Sequence, residues 1–213
     1  MWQGDWRSGV SLMRSVKRRL RGMGLLTGIV IVAAAPMSAA RAQAEVTPEK
    51  LISQLTGLET AADLDVAALR QQATDRVKSK ADATPLKRPP IAGQLLKLPQ
   101  FAIEVQFDPD TSIIRPESYK TVGRIADVLT HPTLLPYVFL IVGHTDASGR
   151  RDNNLTLSQR RADAIRDVLV TTFKVSPKRL KAIGLGEEQL LDAAHPTAPV
   201  NQQVQVVTVG KVL

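Results

Sequence analysis

Along the second half of the chain the apolar positions change period in a readable order. Phe101, Ile103, Val105 and Phe107 alternate with other residues, which predicts a half-buried strand. After a turn, Pro116 suits a first helical position, and Tyr119, Val122, Ala126 and Leu129 recur at helical spacing until His131-Pro132 stops the run. Tyr137 to Val142 (YVFLIV) is apolar throughout, the pattern of an interior strand covered on both faces. A Gly- and Asn-rich loop leads into a second helix with an inward stripe of Leu157, Ala164, Ile165, Val168 and Leu169. Leu180 to Leu185 and Val204 to Val209 read as two further short strands. Strand, helix, strand, helix, strand, strand predicts one α/β domain, an α+β sandwich, over residues 98–213, with crossover-linked strands as parallel neighbours.

Upstream the pattern thins. Thr47-Pro48-Glu49 resembles a helix start, and Leu51, Ile52, Leu55 and Leu58 follow at helical spacing. A second helical segment, Asp65 to Lys80, offers only Leu69, Ala73 and Val77. Lys87-Arg88-Pro89-Pro90 then breaks any helix. Residues 45–97 therefore read as a helical arm or linker: a spacer, or an arm that docks an envelope partner.

Residues 1–44 read as a signal peptide. A basic stretch (RSVKRRLRG) precedes an apolar run from Leu25 to Ala35, and Ala40-Arg41-Ala42 and Ala42-Gln43-Ala44 offer small-residue cleavage sites, with a mature start near 43–45. The apolar run is shorter than the ~17–25 residues that cross a bilayer, so no transmembrane span is expected in the mature protein.

The formal charge of +8 invites a nucleic-acid partner, but its location removes that reading. Of the 28 Lys and Arg, seven lie in residues 1–42 beside a single acid, Asp5, and the remaining 21 bases and 19 acids nearly cancel. The absence of cysteine excludes thiol catalysis and Cys-ligated metal. Three histidines, His131, His144 and His195, are scattered without ligand spacing, so neither a metal nor another cofactor is expected.

The candidate chemistry lies in the loop after the central strand. Asp146 stands just past that strand's carboxyl end, where ligands of α/β folds gather. Fifteen residues on, Arg161 interrupts the inward stripe of the next helix. An unpaired buried guanidinium is costly, so Arg161 needs a partner, either a structural ion pair or a ligand. The segment Gly143-His144-Thr145-Asp146-x-x-Gly149, followed by Asn154-x-x-Leu157-Ser158-x-x-Arg161-Ala162-x-x-Ile165-x-x-x-Leu169, resembles the signature of the OmpA-like peptidoglycan-binding domain. Phe107-Asp108 and Gly184-x-Gly186-Glu187 extend the likeness over residues ~100–209.

The resemblance implies a β-α-β-α-β-β fold with a mixed sheet and non-covalent binding of the diaminopimelate-containing peptide stem of peptidoglycan. The implied ligand residues are Asp146, Arg161, Asn154 and Thr145, in a periplasmic, cell-wall-associated protein, with the outer membrane as an open alternative. Asn154 has a second reading as a helix N-cap. The sequence departs from the family at Asn201-Gln202-Gln203-Val204, where Asn-Arg-Arg-Val is usual. Loss of those guanidiniums is expected to weaken an ion-pair network bracing Asp146. Two other functions compete: an assembly adaptor working through residues 45–97, and a wall hydrolase. The hydrolase needs a carboxylate pair, and no spacing among Asp146, Asp152 and Glu187 singles one out.

Overall fold

The continuous apolar run becomes the spine of the sheet. A computed structural model describes residues 47–212, apart from 59–61, 63, 81–83, 86 and 87. The export signal expected over residues 1–44 lies outside the described residues. Strand β2 (Tyr137–His144) is buried from Phe139 onward, flanked by β3 (Leu180–Gly186) in parallel and β4 (Val204–Lys211) antiparallel. Strand β1 (Gln100–Ile103) pairs with β4 at the outer edge, giving the order β1-β4-β2-β3. The sheet is therefore mixed. β1 and β2 run the same way, but the last strand is inserted between them, so only the second crossover yields the adjacent parallel pair expected of both.

The β1 ladder stops at Ile103, yet the alternation persists: Val105 is buried, and Phe107 bridges to Ile114 across the turn. A short 3-10 turn, Pro116–Ser118, leads into α3 (Tyr119–Leu129), whose inward stripe is Val122, Ile125, Ala126, Val128 and Leu129. Tyr119, predicted on that stripe, is its first residue and is exposed.

Helix α4 (Arg151–Thr171) buries Asn154, Ser158, Ala162, Ile165 and Leu169, whereas the predicted Leu157, Ala164 and Val168 are only half-buried. The reason is proximity. A Cβ at Gly143 would strike the Ser158 carbonyl, and one at Gly184 would strike the Gln159 backbone, so the helix lies directly on β2 and β3. Beside those two glycines only the small Ser158 and Ala162 fit, while Ile165 and Leu169 reach the core further along the helix.

Both sheet faces are covered. Phe139, Ile141, Val204 and Val206 pack with α3, α4 and α1 (Pro48–Leu55); Leu140, Val142, Ile183, Leu185 and Val207 pack under α2 (Val66–Lys78) and Ile91, Ala92 and Leu95. Residues 45–97 thus do not behave as a bare spacer. Leu51 and Leu55 of α1 and Leu69 and Ala73 of α2 are core residues, and each buried leucine contributes roughly 1.5–3 kcal/mol. The stripe looked thin because it has one task, to close a face of the sheet, and a docking partner is left mainly polar surface there. All described residues fall within one compact unit spanning Ala42–Leu213. Among them no helix is long and apolar enough to cross a membrane.

The open edge of β3 is capped by side chains. Arg70 donates to the Ala182 carbonyl at 3.1 Å and Arg166 to that of Leu180 at 3.1 Å, while Gln159 and Ser158 accept from the N–H groups of Gly184 and Gly186. Such capping removes a template for edge-to-edge pairing.

Candidate functional site

Two residues beyond β2, the chain turns outward at Asp146. Its carboxylate is largely buried and held by neutral donors: Ser148 N at 3.0 Å and the Ser148 hydroxyl on Oδ1, and Gln202 Nε2 at 2.7 Å on Oδ2. Gly149 closes the loop with φ +83°, a conformation that costs a residue without Cβ little. Asn154 is not the N-cap of α4, a position held by Arg150. It sits inside the first turn, and its side-chain amide donates to Asp146 O (3.2 Å), Ser148 O (2.9 Å) and Glu187 Oε2 (2.7 Å). Asn154 therefore ties the loop to the helix that follows.

Arg161 reaches the same region from the flank of α4. Its Nε donates to the Thr111 carbonyl at 2.9 Å, and its guanidinium lies 4.9 Å from the centre of the Phe107 ring. Burial pulls its pKa down, opposed by the charges of Asp110 and Asp146. Neither carboxylate forms an ion pair with it. Its two terminal nitrogens make no hydrogen bond to the described residues, and arginine stays charged in any protein setting. Asp110, with φ +55°, turns the loop that forms the facing wall.

Between these groups runs a solvent-open cleft of about 390 Å³ lined by Thr145, Asp146, Asn154 and Arg161, all four residues singled out from the sequence. Phe107, Asp110 and Arg115 form the wall opposite. The cleft follows the side of α4 at Asn154, Leu157 and Arg161 rather than its first free N–H groups. An anionic group and a cationic group, unpaired with each other, share one opening. That arrangement suits a ligand bearing both charges, because each can meet its opposite without competing for a protein partner.

Two details around these residues do not follow from the sequence pattern. Gln202 stands where a guanidinium was missed, and it braces Asp146 through a neutral amide instead of an ion pair. Thr145 is buried, and its hydroxyl and the neighbouring His144 Nδ1 lack hydrogen-bond partners among the described residues. No periodicity signals either feature, since both depend on where a loop from the far end of the chain returns.

His144 Nε2 lies 3.3 Å from Gln205 Oε1, and Gln205 in turn donates to Gln100. The ring is enclosed, and burial pushes its pKa down to about 4. The folded protein thus keeps His144 neutral where the unfolded chain, near 6.5, takes up a proton. Stability must then fall as pH drops below that value, by roughly 2 kcal/mol on reaching about pH 5. Denaturant titrations should show this slope in the wild type and a flatter line in His144→Gln. Among the described residues, no group of three or more His, Asp or Glu could hold a metal ion.

A sequence model described as the OmpA family matches residues 106–203. An outer membrane porin F of Pseudomonas fluorescens is 38% identical over 106 residues, 48% of this chain and 31% of its own length. A peptidoglycan-associated lipoprotein of Mesorhizobium japonicum is 36% identical over 102 residues, 48% of this chain and 59% of its own. The chain thus spans less than two thirds of each of these relatives. Among solved structures, the cell wall anchor of the T6SS from Pseudomonas aeruginosa aligns with 69% of this chain and all of that one, at 20% identity and a TM-score of 0.44. The segment matched by the family contains both walls of the cleft, Asp146 and Arg161 included, and residues 106–203 of this chain are an OmpA family domain.

Proposed function

We propose that this protein binds the peptide stem of peptidoglycan non-covalently, clasping the free end of diaminopimelate in the cleft. That end carries one ammonium and one carboxylate. Asp146 meets the ammonium, and the free fork of Arg161 takes the carboxylate through two parallel hydrogen bonds. Thr145 and Asn154 shape the wall. The observation that carries this reading is the shared opening of two opposite, unpaired charges. The names of the relatives support the same ligand class, since one is called peptidoglycan-associated.

The cleft reads as a binder rather than a hydrolase. Both oxygens of Asp146 already accept hydrogen bonds, which suits a fixed counter-charge better than a group that must exchange a proton. Exported and held at the wall, such a protein would work in the periplasm as a tether or organiser of the envelope. Cosedimentation with purified peptidoglycan tests the proposal. Wild type should pellet and Asp146→Ala should remain in the supernatant, and equal pelleting of the two contradicts it.

A further inference from the structure

Behind the cleft lies a buried set of charges that reaches outside the family segment. Arg88, from the stretch read as linker, has a side chain that is 1% exposed. Its Nη1 donates to the Glu187 carbonyl at 2.7 Å and approaches Glu187 Oε1 at 3.2 Å, and its Nη2 approaches the same oxygen at 3.3 Å. Glu188, equally buried, pairs with Arg88 at 3.5 Å and with Arg151 at 2.6 Å. Two carboxylates and two guanidiniums thus balance in charge.

Their bonds continue to the cleft without a break. The Glu187 oxygen not facing Arg88 accepts from Asn154 at 2.7 Å; Asn154 holds the carbonyls of Asp146 and Ser148; and Ser148 holds the Asp146 carboxylate. We infer that Arg88 is a positioning residue for ligand binding, fixing Glu187 so that Asn154 can hold the loop presenting Asp146. The residues upstream of the family segment then complete the site as well as the core.

The chemistry requires the charge. A buried carboxylate without its guanidinium turns to another donor or takes up a proton, and either change alters what Asn154 can bond to. Glutamine at 187 has a related defect: an amide accepts on one side only, so it cannot serve Arg88 and Asn154 together.

This inference rests on the cleft being the stem-peptide site, and the test separates the two. The full chain is titrated with the tripeptide L-alanyl-D-glutamyl-diaminopimelate. Arg88→Ala and Glu187→Gln should each weaken binding by about tenfold, the lower end of what lost outer support costs metal sites. Both should also shift the side-chain amide resonances of Asn154 in the free protein. Leu69→Ala, a core change on the same upstream segment that touches none of these groups, should lower the melting temperature yet leave affinity and those resonances unchanged. Wild-type affinity in both charge variants, or an equal affinity loss in Leu69→Ala, overturns the positioning role. If Arg88→Ala does not fold, Glu187→Gln decides. Undiminished binding by Asp146→Ala sinks the cleft reading itself, whereas loss there alone sinks only the role of Arg88.

Discussion

Replacing Arg161 with alanine is expected to lower affinity for a diaminopimelate stem by about 100-fold while changing the melting temperature little. Two charge-assisted hydrogen bonds to a carboxylate are together worth roughly 3 kcal/mol, and every 1.4 kcal/mol is a factor of ten. Stability responds differently because Arg161 is desolvated without an ion-pair partner. Its removal relieves that cost and forfeits one bond to Thr111 and the contact with Phe107, terms of opposite sign and similar size. Arg161→Lys should recover only part of the affinity, since an ammonium cannot offer the planar fork. Calorimetric titration together with thermal melting checks both halves.

Arg179 should behave in the opposite way. Its guanidinium is buried and lies 5.4 Å from the Phe139 ring centre, and it donates hydrogen bonds to three carbonyls: Tyr137 O at 2.9 Å, Leu129 O at 2.9 Å and Leu134 O at 2.6 Å. These bonds lock the end of α3, the 3-10 turn Pro132–Leu134 and the start of β2 together. Arg179→Ala leaves three acceptors without that donor, at about 1 kcal/mol or more each, so a loss of roughly 3–4 kcal/mol is expected. Peptidoglycan binding by the folded fraction should be unchanged. Unfolding curves and a titration below the melting temperature would expose any departure.

The contrast between these two arginines marks what a sequence can disclose. Both interrupt apolar surroundings, and both lie over a phenylalanine. What separates them is how many donors the protein itself consumes, three bonds at Arg179 against one at Arg161, and that depends on carbonyls brought in from distant segments. The strands and helices were legible because each rests on a local period, and the run YVFLIV required cover on two faces. That requirement also implied a second layer. The layer came from Leu69, Ala73, Ile91, Ala92 and Leu95, too sparse to read as a core until the sheet they cover is in place. The cap reading of Asn154 rests on the strong local preference of Asn at a helix start, which its bonds to Asp146, Ser148 and Glu187 override. Gln202 stands out in the sequence only for the guanidinium it lacks, and its neutral bond to Asp146 leaves that carboxylate without a protein counter-ion, open to a ligand's ammonium.

The most direct measurement compares two stem tripeptides that differ only at the third residue, diaminopimelate in one and lysine in the other. Lysine keeps the side-chain ammonium but lacks the second carboxylate, so Asp146 retains its partner and Arg161 loses one. The account predicts that wild type binds the diaminopimelate peptide at least tenfold more tightly, and that Arg161→Ala abolishes the difference. Equal affinity of wild type for the two peptides would contradict it.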